Sequence, residues 1–147
     1  RQTAMSHEID VIIGASLGGF LTMHIFGFSR IIVNPCWEPA NELPHVGYTG
    51  DTALYSTLLE QFKENTDFEE KNLCSVCIAP HDELLGERYR DILENHFRNV
   101  YEISGGHRIC EDSAEEIINN FLPIHEENVL TFVKQLKGMD NLPIWDI

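Results

Sequence analysis

Ile9-Asp10-Val11-Ile12-Ile13-Gly14-Ala15-Ser16-Leu17-Gly18-Gly19-Phe20 is the stretch on which the fold turns. A short β-branched run ends in Gly-Ala-Ser-Leu-Gly, and a continuously apolar segment, Phe20 to Phe28, follows. That order predicts a buried strand, a very tight turn carrying Ser16, and a buried helix. Ser16 would stand at a sharp, strained bend with its hydroxyl clear of the sheet. Side chains at Gly14 and Gly18 are expected to collide with the neighbouring strand or helix, which explains their reduction to hydrogen. The bend leaves the backbone N–H of Leu17, first in the helix, without a helical acceptor and free to stabilise an oxyanion.

At 147 residues the chain is one domain with room for a proper core, and its 43 % apolar content is ordinary. A formal charge of −14 argues against nucleic acid and anionic membrane surfaces as partners. No apolar run reaches the length of a membrane span. Four cysteines (Cys36, Cys74, Cys77 and Cys110) read as buried thiols of a reducing cytoplasm rather than a disulfide framework. Cys74 and Cys77 have CxxC spacing, but inside a strand they point to opposite faces, which suits neither a redox pair nor a zinc knuckle. No His/Asp/Glu spacing matches a metal site. The chain opens at Arg1 and reaches a strand almost at once, and a strand this apolar wants neighbours on both edges. Further strands upstream of it are therefore expected.

Along the chain, Gly27 stops the helix and Arg30-Ile31-Ile32-Val33-Asn34 forms a second strand closed by Pro35. Strand, helix, strand implies a parallel, right-handed crossover. A lid-like insertion is expected over about 35–72. Its first part, Pro35 to Thr52, is too broken by proline and glycine for a regular element. Its second is a helix from Asp51 to Phe68 with Leu54, Leu58, Leu59 and Phe62 at helical spacing and Asp51 as cap. The polar connector 68–72 follows. Leu73 to Ala79 is a third strand, and a helix then runs to about Phe97 with Leu84, Leu85, Ile92 and Leu93 inward. Asn99 to Ile103 is a fourth strand. Helices around Ala114–Phe121 and Glu126–Lys137 complete the domain, and Gly138 to Ile147 is a tail that Trp145 could dock.

The four strands end at Ser16, at Asn34-Pro35, at Asp82 and at His107. In an open parallel sheet all C-terminal strand ends share one edge, where ligands bind. Nucleophile, acid and histidine therefore arrive together, in an order suited to acyl transfer. Ser16 Oγ would attack an acyl carbonyl, with His107 taking its proton and later returning it to the leaving alcohol. Asp82 would hold the other ring nitrogen of His107. Each residue also has a plainer role: Ser16 as a small turn residue, Asp82 as a helix cap aided by Glu83, His107 as an exposed loop residue. His81, His24 and His125 compete less well for the base. A phosphate loop is disfavoured by the missing Lys-Ser/Thr. Asn34, Pro35, Trp37 and Tyr48 are the candidate substrate contacts, and the aromatics Trp37, Tyr48 and Tyr55 suit an apolar pocket wall or core packing equally.

With these residues laid out, the chain resembles the small YqiA-type serine esterases of the α/β-hydrolase superfamily. The resemblance rests on Gly14-Ala15-Ser16-Leu17-Gly18-Gly19-Phe20 and Asn34-Pro35. It is extended by Glu42-Leu43, Tyr48-Thr49-Gly50, Asp82-Glu83-Leu84-Leu85 and Gly105-Gly106-His107. It implies a three-layer α/β fold, a parallel sheet flanked by helices, and a cytoplasmic esterase without cofactor or metal. Ser16, Asp82 and His107 would be its triad, and its partner a small acyl ester or thioester. A non-catalytic binding module on the same fold is the alternative. An unpaired edge at Ile9–Ile13 would favour pairing there, including homo-oligomerisation.

Overall fold

The computed structural model describes residues 11–85 and 87–123. Four strands, β1 (Val11–Ala15), β2 (Ser29–Val33), β3 (Cys74–Ile78) and β4 (Asn99–Glu102), form one sheet in the order β1-β2-β3-β4. Every pairing is parallel. The register aligns Ala15 with Val33, Val33 with Cys77 and Cys77 with Tyr101, one row crossing all four strands. β2 and β3 are buried along their whole length, as expected of parallel strands covered on both faces. Among the described residues, no helix is long and apolar enough to cross a membrane.

Alternation along the strands sorts side chains to two faces. One face gathers Ile32, Cys74, Val76 and Ile78 against Phe20, Met23, Leu59, Phe62, Leu93 and Phe97. These come from α1 (Leu17–Met23), α3 (Ala53–Asn65), α5 (Arg90–His96) and the residue after it. The other face holds Ile31, Val33, Cys77, Ala79 and Ile103 under Ile117 and Phe121. Those two lie on the π turn Ile117–Phe121 that continues α6 (Glu111–Glu116). Parallel strands laid down in sequence with one crossover hand place their connecting helices on one face, so α6, after the last strand, is left to cover the other. Cys74 and Cys77 fall on opposite faces, and burial pushes both thiols up to about 12.

Several expectations are corrected here. The 35–72 stretch expected as a lid-like insertion makes the β2–β3 crossover that parallel strands need, with Trp37, Leu59 and Phe62 packing its inner side on the sheet. Its broken first part contains the short helix α2 (Pro39–Glu42) and the 3₁₀ turn Leu43–Val46. The polar connector 68–72 is the helix α4 (Phe68–Asn72), started by Asp67, whose side chain accepts from Glu70 N. Its Glu70 pairs at 2.6 Å with Arg30, a fully buried strand residue that also donates to Met23 O at 2.8 Å. Asp51 accepts from Ala53 N at 2.9 Å but lies one residue before the cap, Thr52. Leu54, Leu84 and Ile92 are exposed, and Tyr89 takes the inward place. The helix expected from residue 83 is found from Arg90, and the stretch before it turns around Asp82 Oδ1, which accepts from Leu84 N and Leu85 N. Cys110 is exposed rather than buried. The opening Ile9 and Asp10, His125, the Glu126–Lys137 helix and the tail with Trp145 lie outside the described residues.

At the β1–α1 corner, a Cβ on Gly14 would lie 2.2 Å from Thr22 Oγ1 and 2.5 Å from the Gly18 carbonyl oxygen. On Gly19 it would press on Gly14 O at 3.2 Å and on Pro35 at 3.4 Å. On Gly18 it meets no described atom within 4 Å, so the close approach belongs to Gly14 and Gly19. Gly14→Ala should cost about 1–3 kcal/mol by urea denaturation, whereas Gly18→Ala should be neutral or slightly stabilising.

His96 supplies a pH handle. Its ring is half-buried among Trp37, Phe62 and Phe97, with Nε2 unpartnered among the described residues, and burial lowers its pKa from 6.5 to about 4. Between those values the unfolded chain binds more protons than the folded one. Stability from the neutral ring is therefore full above pH 6.5 and lost as the pH falls towards 4. His96→Phe should flatten that part of the stability–pH curve by about 1–2 kcal/mol, read from denaturant midpoints at pH 7 and pH 4.5.

Candidate active site

Ser16 sits between β1 and α1 with φ 54° and ψ −123°, a left-handed conformation costing about 1–3 kcal/mol for a residue with a Cβ. Three backbone bonds hold it there. Ser16 N donates to Val33 O at 2.9 Å, and Ser16 O accepts from Phe20 N and from Cys36 N at 3.1 Å each. β2 and its exit thus pin the corner from the side, while α1 pins it from above. Leu17 is the first residue of α1, so its N–H has no acceptor within the helix.

His107 Nε2 lies 2.9 Å from Ser16 Oγ, and His107 Nδ1 lies 2.8 Å from Asp82 Oδ2. A carboxylate accepts only, so Nδ1 carries the proton and Nε2 is left to accept the Ser16 hydroxyl. Asp82 is buried, and its second oxygen, Oδ1, accepts from Leu84 N and Leu85 N at 2.8 Å each. Asp82 thus divides its oxygens between a local turn and the imidazole, with no helix starting directly after it. One fixes the carboxylate to its own turn while the other faces the imidazole. Such a chain of groups can draw the proton from a serine hydroxyl and hold the resulting imidazolium beside a carboxylate.

The histidine loop is braced on several sides. Asn34, 3 % exposed with φ 42°, donates through Nδ2 to Gly106 O at 3.0 Å and His107 O at 3.1 Å. Its Oδ1 accepts from Ala79 N at 2.7 Å, which ties the exit of β3 to the same loop. Ser113 Oγ, fully buried, donates to Ser104 O at 2.7 Å, and the Ser104 hydroxyl meets the Glu116 carboxylate. Those contacts with Ser104 hold the Glu116 carboxyl below its usual range. Cys110 starts α6, its thiol 3.0 Å from Ser113 Oγ.

The expected substrate contacts fare differently. Trp37 is 2 % exposed and packs edge-on against Phe62 and Phe97, so it belongs to the core. Asn34 spends both ends of its amide on backbone groups and braces the histidine loop. Pro35 is fully buried, close against Gly19. Tyr48 is exposed with its ring over Gly50. A cavity of about 10 Å³ lies behind Asp82, lined by Asn34, Pro35, Leu85, Tyr89 and Arg90 among others. That is at the lower limit for one water and too small for a substrate. His24 is turned inward, its ring nitrogens against the carbonyls of Phe20 and Leu58, and His81 is exposed. Sequence reasoning missed the bracing by Asn34, although asparagine tolerates positive φ better than most residues and stands here where a strand must turn sharply.

No family model matches the chain, and none of the curated proteins matches it either.

Asn34→Ala should leave Ala79 N–H and two carbonyls unpaired and cost about 2–3 kcal/mol. Asn34→Gly, which relieves the left-handed backbone without restoring the bonds, should recover only part of that loss in the same urea titration.

Proposed function

We propose that the chain is a serine hydrolase of the α/β-hydrolase type that cleaves carboxylic esters. What carries this reading is the unbroken line from Ser16 Oγ through His107 to Asp82, with steps of 2.9 and 2.8 Å. Its serine is held at a left-handed corner directly before a helix. The all-parallel sheet and the chain order serine, aspartate, histidine agree with it.

In the proposed reaction His107 Nε2 takes the Ser16 proton as Oγ adds to the acyl carbonyl carbon. The carbonyl oxygen becomes an oxyanion, and Leu17 N–H is one donor to it. Collapse of the tetrahedral adduct expels the alkoxide, which takes the proton back from Nε2, leaving the acyl group on Ser16. Water, deprotonated by the same nitrogen, then attacks the acyl-serine. The acid leaves and Ser16 regains its hydrogen. Asp82, locked by the Leu84 and Leu85 N–H groups, keeps the imidazole in one tautomer and orientation throughout. A thioester would pass through the same steps with a thiolate as leaving group.

Ser16→Ala should lower hydrolysis of a short-chain p-nitrophenyl ester by at least about 10³-fold. A fluorophosphonate probe should label the wild type at Ser16 and leave the variant unlabelled. Turnover unchanged by the substitution would remove Ser16 from the reaction, and a matching thioester run in parallel would identify the preferred leaving group.

A further inference from the structure

We propose that Glu83 is a positioning residue of this site, gripping the backbone of His107 while its neighbour Asp82 grips the ring. The proposal rests on the hydrolase reading and extends it. Glu83 Oε2 accepts from His107 N at 2.9 Å. The same peptide unit is held from its other end, since Gly106 O accepts from Asn34 Nδ2 at 3.0 Å. A peptide fastened at both its N–H and its C=O cannot rotate about the flanking bonds without breaking one of them. Rotation of that peptide would swing the His107 Cα–Cβ bond and carry Nε2 away from Ser16.

Gly106 has a reason in the same contact. A Cβ there would lie 2.5 Å from Glu83 Oε2. The positive-φ glycine of the pair is Gly105, so the absent side chain at Gly106 makes room for the carboxylate rather than serving backbone conformation. The bond from His107 N–H, with the residue's own N–H, holds the Glu83 carboxyl below its usual range, consistent with a charged acceptor at this N–H. Glu83 is exposed, so its removal opens no cavity and leaves no buried group unpaired. Its effect on turnover is therefore separable from an effect on folding.

In the full-length chain, Glu83→Ala should lower kcat for the p-nitrophenyl ester and the fluorophosphonate labelling rate by about 5–20-fold. KM should stay within twofold and the thermal midpoint should hold. Glu83→Gln, whose amide oxygen can still accept, should restore activity to within about threefold of wild type. The downfield proton resonance of His107 Nδ1–H should broaden or shift in Glu83→Ala and persist in Glu83→Gln, a readout that needs no substrate. Gly106→Ala should reproduce the loss by displacing the carboxylate and should add little in a Glu83→Ala background. Glu83→Ala with kcat and the Nδ1–H resonance unchanged, in a protein where Ser16→Ala abolishes turnover, would overturn the positioning role alone. Absence of Ser16-dependent turnover in the wild type would overturn the hydrolase reading and the positioning role with it.

Discussion

One row of paired residues, Ala15, Val33, Cys77 and Tyr101, runs across the sheet, and the geometry of the site depends on it. Parallel pairing forces every chain segment leaving that row to leave on the same side. Ser16 follows Ala15 directly and Asn34 follows Val33 directly. Asp82 and His107 arrive after short loops from β3 and β4. The ladder extends past the strands themselves: Ser16 N reaches Val33 O, Asn34 N reaches Cys77 O, and Ile103 N reaches Ile78 O. A slip of one residue in β1 against β2 would turn Ser16 to the other face and uncouple it from His107. The burial of β2 and β3 on both faces makes such a slip costly.

Above this frame, polar groups do double duty. Asp82 uses one oxygen to fix its own turn and the other to meet His107. Asn34 uses one end of its amide on the exit of β3 and the other on the histidine loop. Glu83 and Asn34 hold opposite ends of one peptide. These bonds join loops from three strands without apolar packing, which suits an edge of the sheet where water is near. They also explain why two non-glycine residues, Ser16 and Asn34, adopt positive φ, since each is fastened by at least three hydrogen bonds. The strain at each is small beside the bonds that would be lost in relaxing it.

The strands were legible in the sequence because each carries a short β-branched or apolar stretch, such as Ile31 to Val33 and Val76 to Ile78, closed by a turn-forming residue or proline. Helices were read less well. Leu54, Leu84 and Ile92 fit helical spacing yet face solvent, because spacing marks a face without saying whether a partner covers it. Gly18 completes the Gly-x-Ser-x-Gly pattern, but the tight contact is made by Gly19. Which glycine meets a neighbour depends on where Pro35 lies, and that is set by the β2 exit. Trp37 could be assigned to a pocket wall or to the core with equal justice until its neighbours Phe62 and Phe97, distant in the chain, were in place.

From the sequence alone came the α/β character, the parallel order of the strands, and Ser16, Asp82 and His107 at strand ends. These follow from local composition and from the rule that parallel strands finish on one side. Only the folded chain decided which oxygen of Asp82 faces His107, that Asn34 braces the histidine loop, and that Glu83 and Gly106 share one contact. Those are distances between residues dozens of positions apart. No periodicity encodes them, because they depend on register and loop path, which the whole set of contacts selects together.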